Sequence, residues 1–301
     1  MPSTEELNNE FGIDNQLCFE QVEGGLIMID ISNQYAKARI STSGGQILSY
    51  QPHSENNDMV FLSEKANYLP GKMIRGGVPV CWPWFGDDTS GYGRPSHGFA
   101  RNQQWDVLGT RSNTDGSTTV TLCIKDTDGS QTIWPYKFKL LIEITVGKRL
   151  EVQLTTKNTG KKTFTISQAL HTYFNVSDIS KVVVNGLDGC EYLDKLDDFS
   201  SSTQAGDVVI SQEIDRIYQN SPAQVTLKDS GFDRIISISA INSRTTVIWN
   251  PWTAAISKID DLDDSSYPQF LCVETANAAD DCITIPEGRE RTIKVIYEIQ
   301  H

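Results

Sequence analysis

Lys137 to Gly160 reads KFKLLIEITVGKRLEVQLTTKNTG, and this stretch decides the fold class. Two runs rich in apolar and β-branched residues are separated by Gly147-Lys148, and Asn158-Thr159-Gly160 closes the second run, which is the signature of a β-hairpin. Working outward, similar β-branched or alternating runs recur at Leu26–Ile31, Gln46–Tyr50, Thr118–Ile124, Thr163–Leu170, Ile235–Ile241, Thr245–Trp249, Phe270–Thr275 and Arg291–Ile299, with polar turns between them. No run reads as a long amphipathic helix. Ser3 and Glu6 have capping-box spacing, which predicts only a short helical turn over Ser3 to Asn9. The chain is therefore expected to be all-β, a large antiparallel sandwich with one concave face or mouth left over for ligand work. No internal repeat, low-complexity tract or flexible linker divides it. A single domain over 1–301 is expected, with 1–20 as an N-terminal extension.

The 301 residues carry a formal net charge of −13 and an isoelectric point near 4.7. That balance argues against nucleic-acid binding and against docking on an anionic membrane, both of which need a broad basic field. The N-terminal MPSTEELNNEFG lacks a basic segment followed by an apolar one, and no apolar stretch is long enough to span a bilayer. A soluble cytoplasmic protein is the simplest expectation. Cys18, Cys81, Cys123, Cys190, Cys272 and Cys282 show no CxxC spacing and are expected to be reduced, buried small hydrophobes. The sequon Asn175-Val176-Ser177 then has no bearing.

The densest chemistry lies between Ile74 and Trp105, where IRGGVPVCWPWFG is followed by SHGFARNQQW. Arg75 precedes two glycines and Arg101 sits four residues after His97, so both can project from shaped backbone into one cavity, where forked donors suit phosphate oxygens. The plainer reading is two surface arginines in loops. Arg94, beside Pro95, is expected to be solvated. Trp82 and Trp84 flank Pro83 and would face the same way in an extended conformation, either stacking on a sugar or packing in the core.

Four histidines occur, and His53 in a polar turn and His301 at the tail read as solvated side chains. His171 ends an apolar run, TISQALHTYFNV, and Glu274 follows another, FLCVETANA. A strand-end histidine is commonly a hydrogen-bonded structural residue, but a carboxylate in so apolar a setting calls for a partner or a task. An acid–base pair is one reading of the two. HExxH, paired CxxC and GxSxG patterns are absent, and the acidic run Ile259–Asp264 lacks the glycine of an EF-hand loop and reads as a solvated turn. No metal or cofactor is expected.

Taken together, IRGGVPVCWPWFG, SHGFARNQQW, HTYFNV, VIWNPW and CVETANA, spread from about Leu26 to Ile299, resemble the aldose 1-epimerase superfamily and within it the glucose-6-phosphate 1-epimerase branch. HxYFN is shared with galactose mutarotases, whereas RGGVP with HGFAR is similar to the sugar-phosphate branch. The resemblance implies a galactose-mutarotase-like β-supersandwich with His171 as catalytic acid and Glu274 as base. It also implies Arg75 and Arg101 at the substrate anion and Asp215, in QEIDRIYQN, on the sugar. Ser96 stands where some relatives carry Gln, and His97 is a second substrate contact. The implied reaction opens and recloses a hexose 6-phosphate between its α and β anomers without a cofactor, with glucose 6-phosphate the first candidate. An ordinary imidazole pKa of about 6.5, raised by the adjacent carboxylate, would keep His171 charged near neutrality. A mutarotase for unphosphorylated hexose, a non-catalytic sugar-phosphate sensor and a lyase or hydrolase on a related scaffold are the alternatives. The oligomeric state is open, with a monomer the simpler expectation.

Overall fold

The computed structural model describes residues 2–88 and 93–301. The strands Phe138–Val146 and Leu150–Asn158 form the hairpin expected around Gly147-Lys148, in register from Phe138 opposite Asn158 to Val146 opposite Leu150. Alternate residues Phe138, Leu140, Ile142, Ile144 and Val146 are buried, so one face of the hairpin enters the core. Each fully buried Leu or Ile contributes roughly 1.5–3 kcal/mol.

Outward from this hairpin, Thr118–Lys125 and Asp106–Ser112 add on one side. Glu290–Gln300, Arg234–Ile241, Gln224–Asp229, Val182–Asn185 and Val208–Val209 add on the other, giving nine antiparallel strands. A second sheet of eight strands centres on Phe270–Asn277 and Thr245–Asn250, and a third of four strands is built from residues 17–52. One apolar core joins all three, taking Ile142 and Val295 from the first, Leu271 and Val273 from the second and Ile29 and Ile40 from the third. The two large sheets are also tied across the core by hydrogen bonds from Trp82 Nε1 to Thr156 Oγ1 and between Thr172 Oγ1 and Tyr297 Oη. This is the expected all-β sandwich.

The Thr163–Leu170 run behaves differently from a single strand. It divides at Ser167 into Phe164–Ile166, paired with Ile283–Ile285, and Gln168–Leu170, which enters the eight-stranded sheet. The break arises because Ser167 bonds sideways, its N–H to Pro83 O and its hydroxyl oxygen to the Phe85 N–H. At the N-terminus Ser3 and Glu6 form the capping box, and the helix runs on to Phe11. Within the 1–20 segment Leu7 is buried, Asn8 bonds the backbone of Phe19 in both directions, and Leu17–Gln21 pairs with Ile27–Ser32. No helix among the described residues is long and apolar enough to cross a membrane. The six cysteines are all unpaired, but only Cys81, Cys123 and Cys272 are buried; Cys190 is half-buried, and Cys18 and Cys282 are exposed because they face outward from an outer strand and a loop end.

Candidate active site

The Phe270–Asn277 strand is buried at every position, so its two faces serve two purposes. Leu271 and Val273 point into the main core, which places Cys272 and Glu274 on the opposite face. Cross-strand register then assembles a row on that face. Asp215 lies opposite Trp249, Trp249 opposite Cys272, and Cys272 opposite Tyr173, while Glu274 lies opposite Val247 one step along. A cavity of about 270 Å³ opens above this row.

The second wall comes from the glycine-rich segment. Gly77 has φ +62° and a Cβ there would lie 2.0 Å from Ile47 O; Gly98 has φ +73° and a Cβ would lie 2.0 Å from Trp82 O. Only glycine permits both the left-handed backbone and the close approach. Through Gly98 the 96–101 segment docks on Trp82, whose carbonyl accepts from the N–H groups of Phe99 and Ala100. Ser96, His97 and Arg101 consequently line the cavity with Arg75, His171, Asp215 and Glu274. Sequence reasoning missed Phe85, Tyr173, Lys195 and Trp249, which line it as well. Tyr173 and Trp249 lay inside the quoted HTYFNV and VIWNPW, and register is what brings them to the site; Lys195, in EYLDKLDD, carried no signal.

His171 Nε2 stands 3.3 Å from Glu274 Oε1, with side-chain exposures of 10% and 1%. The imidazole stacks on Tyr173 at 4.9 Å and meets His97 and Trp249 edge-on. Burial pushes Glu274 well above the usual carboxylate range, reinforced by Asp215. Burial also pulls His171 well below the usual imidazole value, helped by His97, Arg101 and Arg75. This corrects the expectation that the carboxylate raises His171: desolvation and the crowding of basic side chains around the ring outweigh one contact. His97 is pulled down to about 3, mainly by burial and then by Arg101, so it sits in the cavity as a neutral ring. Asp215 bonds Lys195 Nζ at 2.6 Å, and burial nevertheless pushes its carboxyl upward.

The arginines are held in different ways. Arg75 donates from Nε to Asp261 Oδ1 at 2.8 Å and from Nη1 to Tyr173 Oη at 3.0 Å. Arg101 donates to Ser96 O and approaches Met73 Sδ, and no ion pair holds it among the described residues. Glu274 Oε2, His171 Nδ1 and Arg101 Nε are buried with no hydrogen-bond partner among the described residues, a concentration of unmet polar atoms at one place.

Of the two readings left open for the tryptophans, stacking on a sugar falls and core packing holds, and two further expectations, for Arg94 and the acidic turn, need correction. Trp82 is fully buried among Phe99, Trp134 and Phe138 and offers no face to a sugar. Trp84 packs against the same core, lies under the Arg94 guanidinium at 4.3 Å and is not part of the cavity wall. Arg94 itself is only 16% exposed and bonds Asp88 at 2.6 Å, and the acidic turn is likewise not simply solvated, since Asp261 binds Arg75. No group of three or more His, Cys, Asp or Glu side chains among the described residues is arranged to hold a metal ion.

The sequence profile of aldose 1-epimerase matches residues 28–298, nearly the whole chain. The chain belongs to the aldose 1-epimerase family. Among curated relatives, this epimerase-family chain is 35% identical over 256 residues to a protein of Escherichia coli strain K12, covering 85% of this chain and 84% of that one. A protein of Cenchrus ciliaris is 34% identical over 262 residues, covering 84% and 78%. Both are provisionally named glucose-6-phosphate 1-epimerase. A Salmonella typhimurium crystal structure, provisionally described as a mutarotase, superposes with a TM-score of 0.89 at 31% identity over 96% of this chain and 95% of that one. A galactose mutarotase-related structure from Lactobacillus acidophilus, at 16% identity and a TM-score of 0.74 over 91% and 97% of the two chains, shares the fold.

Proposed function

We propose that this aldose 1-epimerase family member interconverts the α and β anomers of hexose 6-phosphates, glucose 6-phosphate foremost, as a free substrate in the cytoplasm. The observation that carries the reading is the buried His171–Glu274 contact in one cavity with Arg75 and Arg101. The names of the two curated relatives support the same substrate.

Opening a pyranose removes the proton of the anomeric hydroxyl, breaks the C1–O5 bond, forms the C1 carbonyl and delivers a proton to O5. In our reading Glu274 as carboxylate takes the first proton and His171 as imidazolium supplies the second. The pair then stands as carboxylic acid and neutral imidazole, the form that burial favours. Both forms hold the same number of protons. After rotation about C1–C2, O5 returns its proton to His171 as it attacks the other carbonyl face, and Glu274 protonates O1.

Arg75 and Arg101 bind the phosphate, with binding energy remote from the reacting bond used to place C1 and O5 against the pair. Asp215 with Lys195 reads sugar hydroxyls, Ser96 and the neutral His97 add hydrogen bonds, and the half-buried Trp249 replaces Trp82 and Trp84 as the aromatic surface. The deciding test is exchange NMR between the anomers of glucose 6-phosphate and of glucose, with the uncatalysed rate as baseline. Acceleration restricted to the phosphorylated sugar is expected. Equal acceleration of glucose would move the assignment to a general hexose mutarotase, and none for either sugar would leave a binding protein.

A further inference from the structure

Among the described residues Arg75 is the one cavity arginine that reaches a carboxylate, and that carboxylate comes from far along the chain. Its Nε–H donates to Asp261 Oδ1 at 2.8 Å, with side-chain exposures of 20% and 15% for the two partners. Nη1 donates to Tyr173 Oη at 3.0 Å. A guanidinium has five N–H groups in a rigid plane, so fixing two of them on different nitrogens fixes the direction of the other three. Tyr173 in turn stacks on His171 with an interplanar angle of 14°. The orientation of Arg75 is thereby linked to the ring that faces Glu274.

The Asp261 backbone is anchored independently of its side chain. Its carbonyl accepts from Ser63 Oγ at 2.7 Å, and the Ser63 N–H donates to Arg75 O at 3.1 Å. The neighbouring Leu262 is buried with Phe61, Tyr173 and Phe270. These ties hold position 261 beside Arg75 whatever side chain it bears. The Asp261 carboxylate itself is not part of the cavity wall.

We propose that Asp261 is a positioning residue, holding Arg75 so that its remaining N–H groups face the phosphate of the substrate. This rests on the reading of Arg75 as a phosphate contact. A second role for the same carboxylate has the opposite sign: it also neutralises part of the Arg75 charge, which would weaken an anion's attraction. Orientation dominates here because bidentate phosphate recognition depends on the plane of the fork as well as on its charge.

The two effects separate by substitution. Asp261→Asn keeps an oxygen that accepts from Nε and removes the charge; Asp261→Ala removes both. Glucose 6-phosphate binding is measured by calorimetry, and its anomer exchange by NMR, with thermal unfolding as a check on the fold. The Ala variant is expected to raise Kd and KM for glucose 6-phosphate on the order of tenfold with kcat changed by no more than about threefold. The Asn variant is expected to bind close to wild type. Equal weakening in both variants, or unchanged or tighter binding in Asp261→Ala, would each overturn the proposal. Should the Ala protein fail to fold, Asp261→Leu, which also removes the acceptor but keeps the side-chain volume, takes its place: binding weakened in Leu and near native in Asn supports the proposal, and equal binding in the two overturns it. A wild-type protein that binds glucose 6-phosphate without accelerating exchange sinks the enzymatic reading, while the Kd series still judges Asp261; one that does not bind it sinks both.

Discussion

At the scale of single residues, burial moves His171 and Glu274 in opposite directions and leaves the pair with one proton to share. Replacing His171 with Ala, or Glu274 with Gln, is expected to slow anomer exchange by about 10²- to 10⁴-fold while the circular dichroism spectrum stays native. The pH profile follows from the signs of the shifts. Acid must reach the depressed His171 value before the pair takes a second proton, and base must reach the raised Glu274 value before it loses its only one. The kcat profile, taken at saturating substrate so that the phosphate's own ionisation at about 6 does not enter, is therefore expected to show no fall at about 6.5, the ordinary imidazole value. A fall there would show that solvent sets the His171 charge. Much of this pairing was legible in the sequence, because a carboxylate after an apolar run needs an explanation. The direction of the His171 shift was not, since it depends on how closely His97, Arg101 and Arg75 pack around the ring. For Trp82 the sequence left sugar and core both open, because chain alternation sets where a side chain points only if the segment is a regular strand, and here the residue belongs to the core.

At the scale of elements, the strongly apolar strands were readable because both of their faces are buried or one face alternates cleanly, as in Phe138–Val146. The unread strands, such as Glu191–Asp194, Ser200–Thr203 and Ile214–Gln219, are polar and lie toward one edge of the eight-stranded sheet, where composition resembles that of loops. Lys195 follows directly from that edge, which is why a cavity residue escaped notice. Glycines mark the site wall more sharply than its charged residues do. Gly98→Ala combines a left-handed backbone with a Cβ 2.0 Å from Trp82 O, and is expected to cost more than about 2 kcal/mol by urea unfolding. Gly206, at φ +70° with nothing within 4 Å of its Cβ position, is the control, and Gly206→Ala should cost about 1 kcal/mol. Equal costs would mean that close approach is not what Gly98 provides.

At the scale of the molecule, a net charge of −13 surrounds a cavity meant for a dianion. Long-range repulsion slows encounter, and screening relieves it, since the Debye length shortens to about 10 Å at 0.1 M salt. Raising sodium chloride from a few millimolar toward that level is therefore expected to increase kcat/KM for glucose 6-phosphate; a monotonic decrease would show that the local cations already dominate approach. One core shared by three sheets supports treating residues 1–301 as a single folding unit, for which one cooperative unfolding transition is expected by fluorescence and circular dichroism. Glu274 sits on the strand whose eight residues are all buried, between partners on either side. Amides in such a strand exchange with deuterium only when the whole molecule opens. The catalytic proton carrier we assign thus lies in the last part of the protein to come apart, so that heat should erase activity and global structure together, with no softened, inactive intermediate before them.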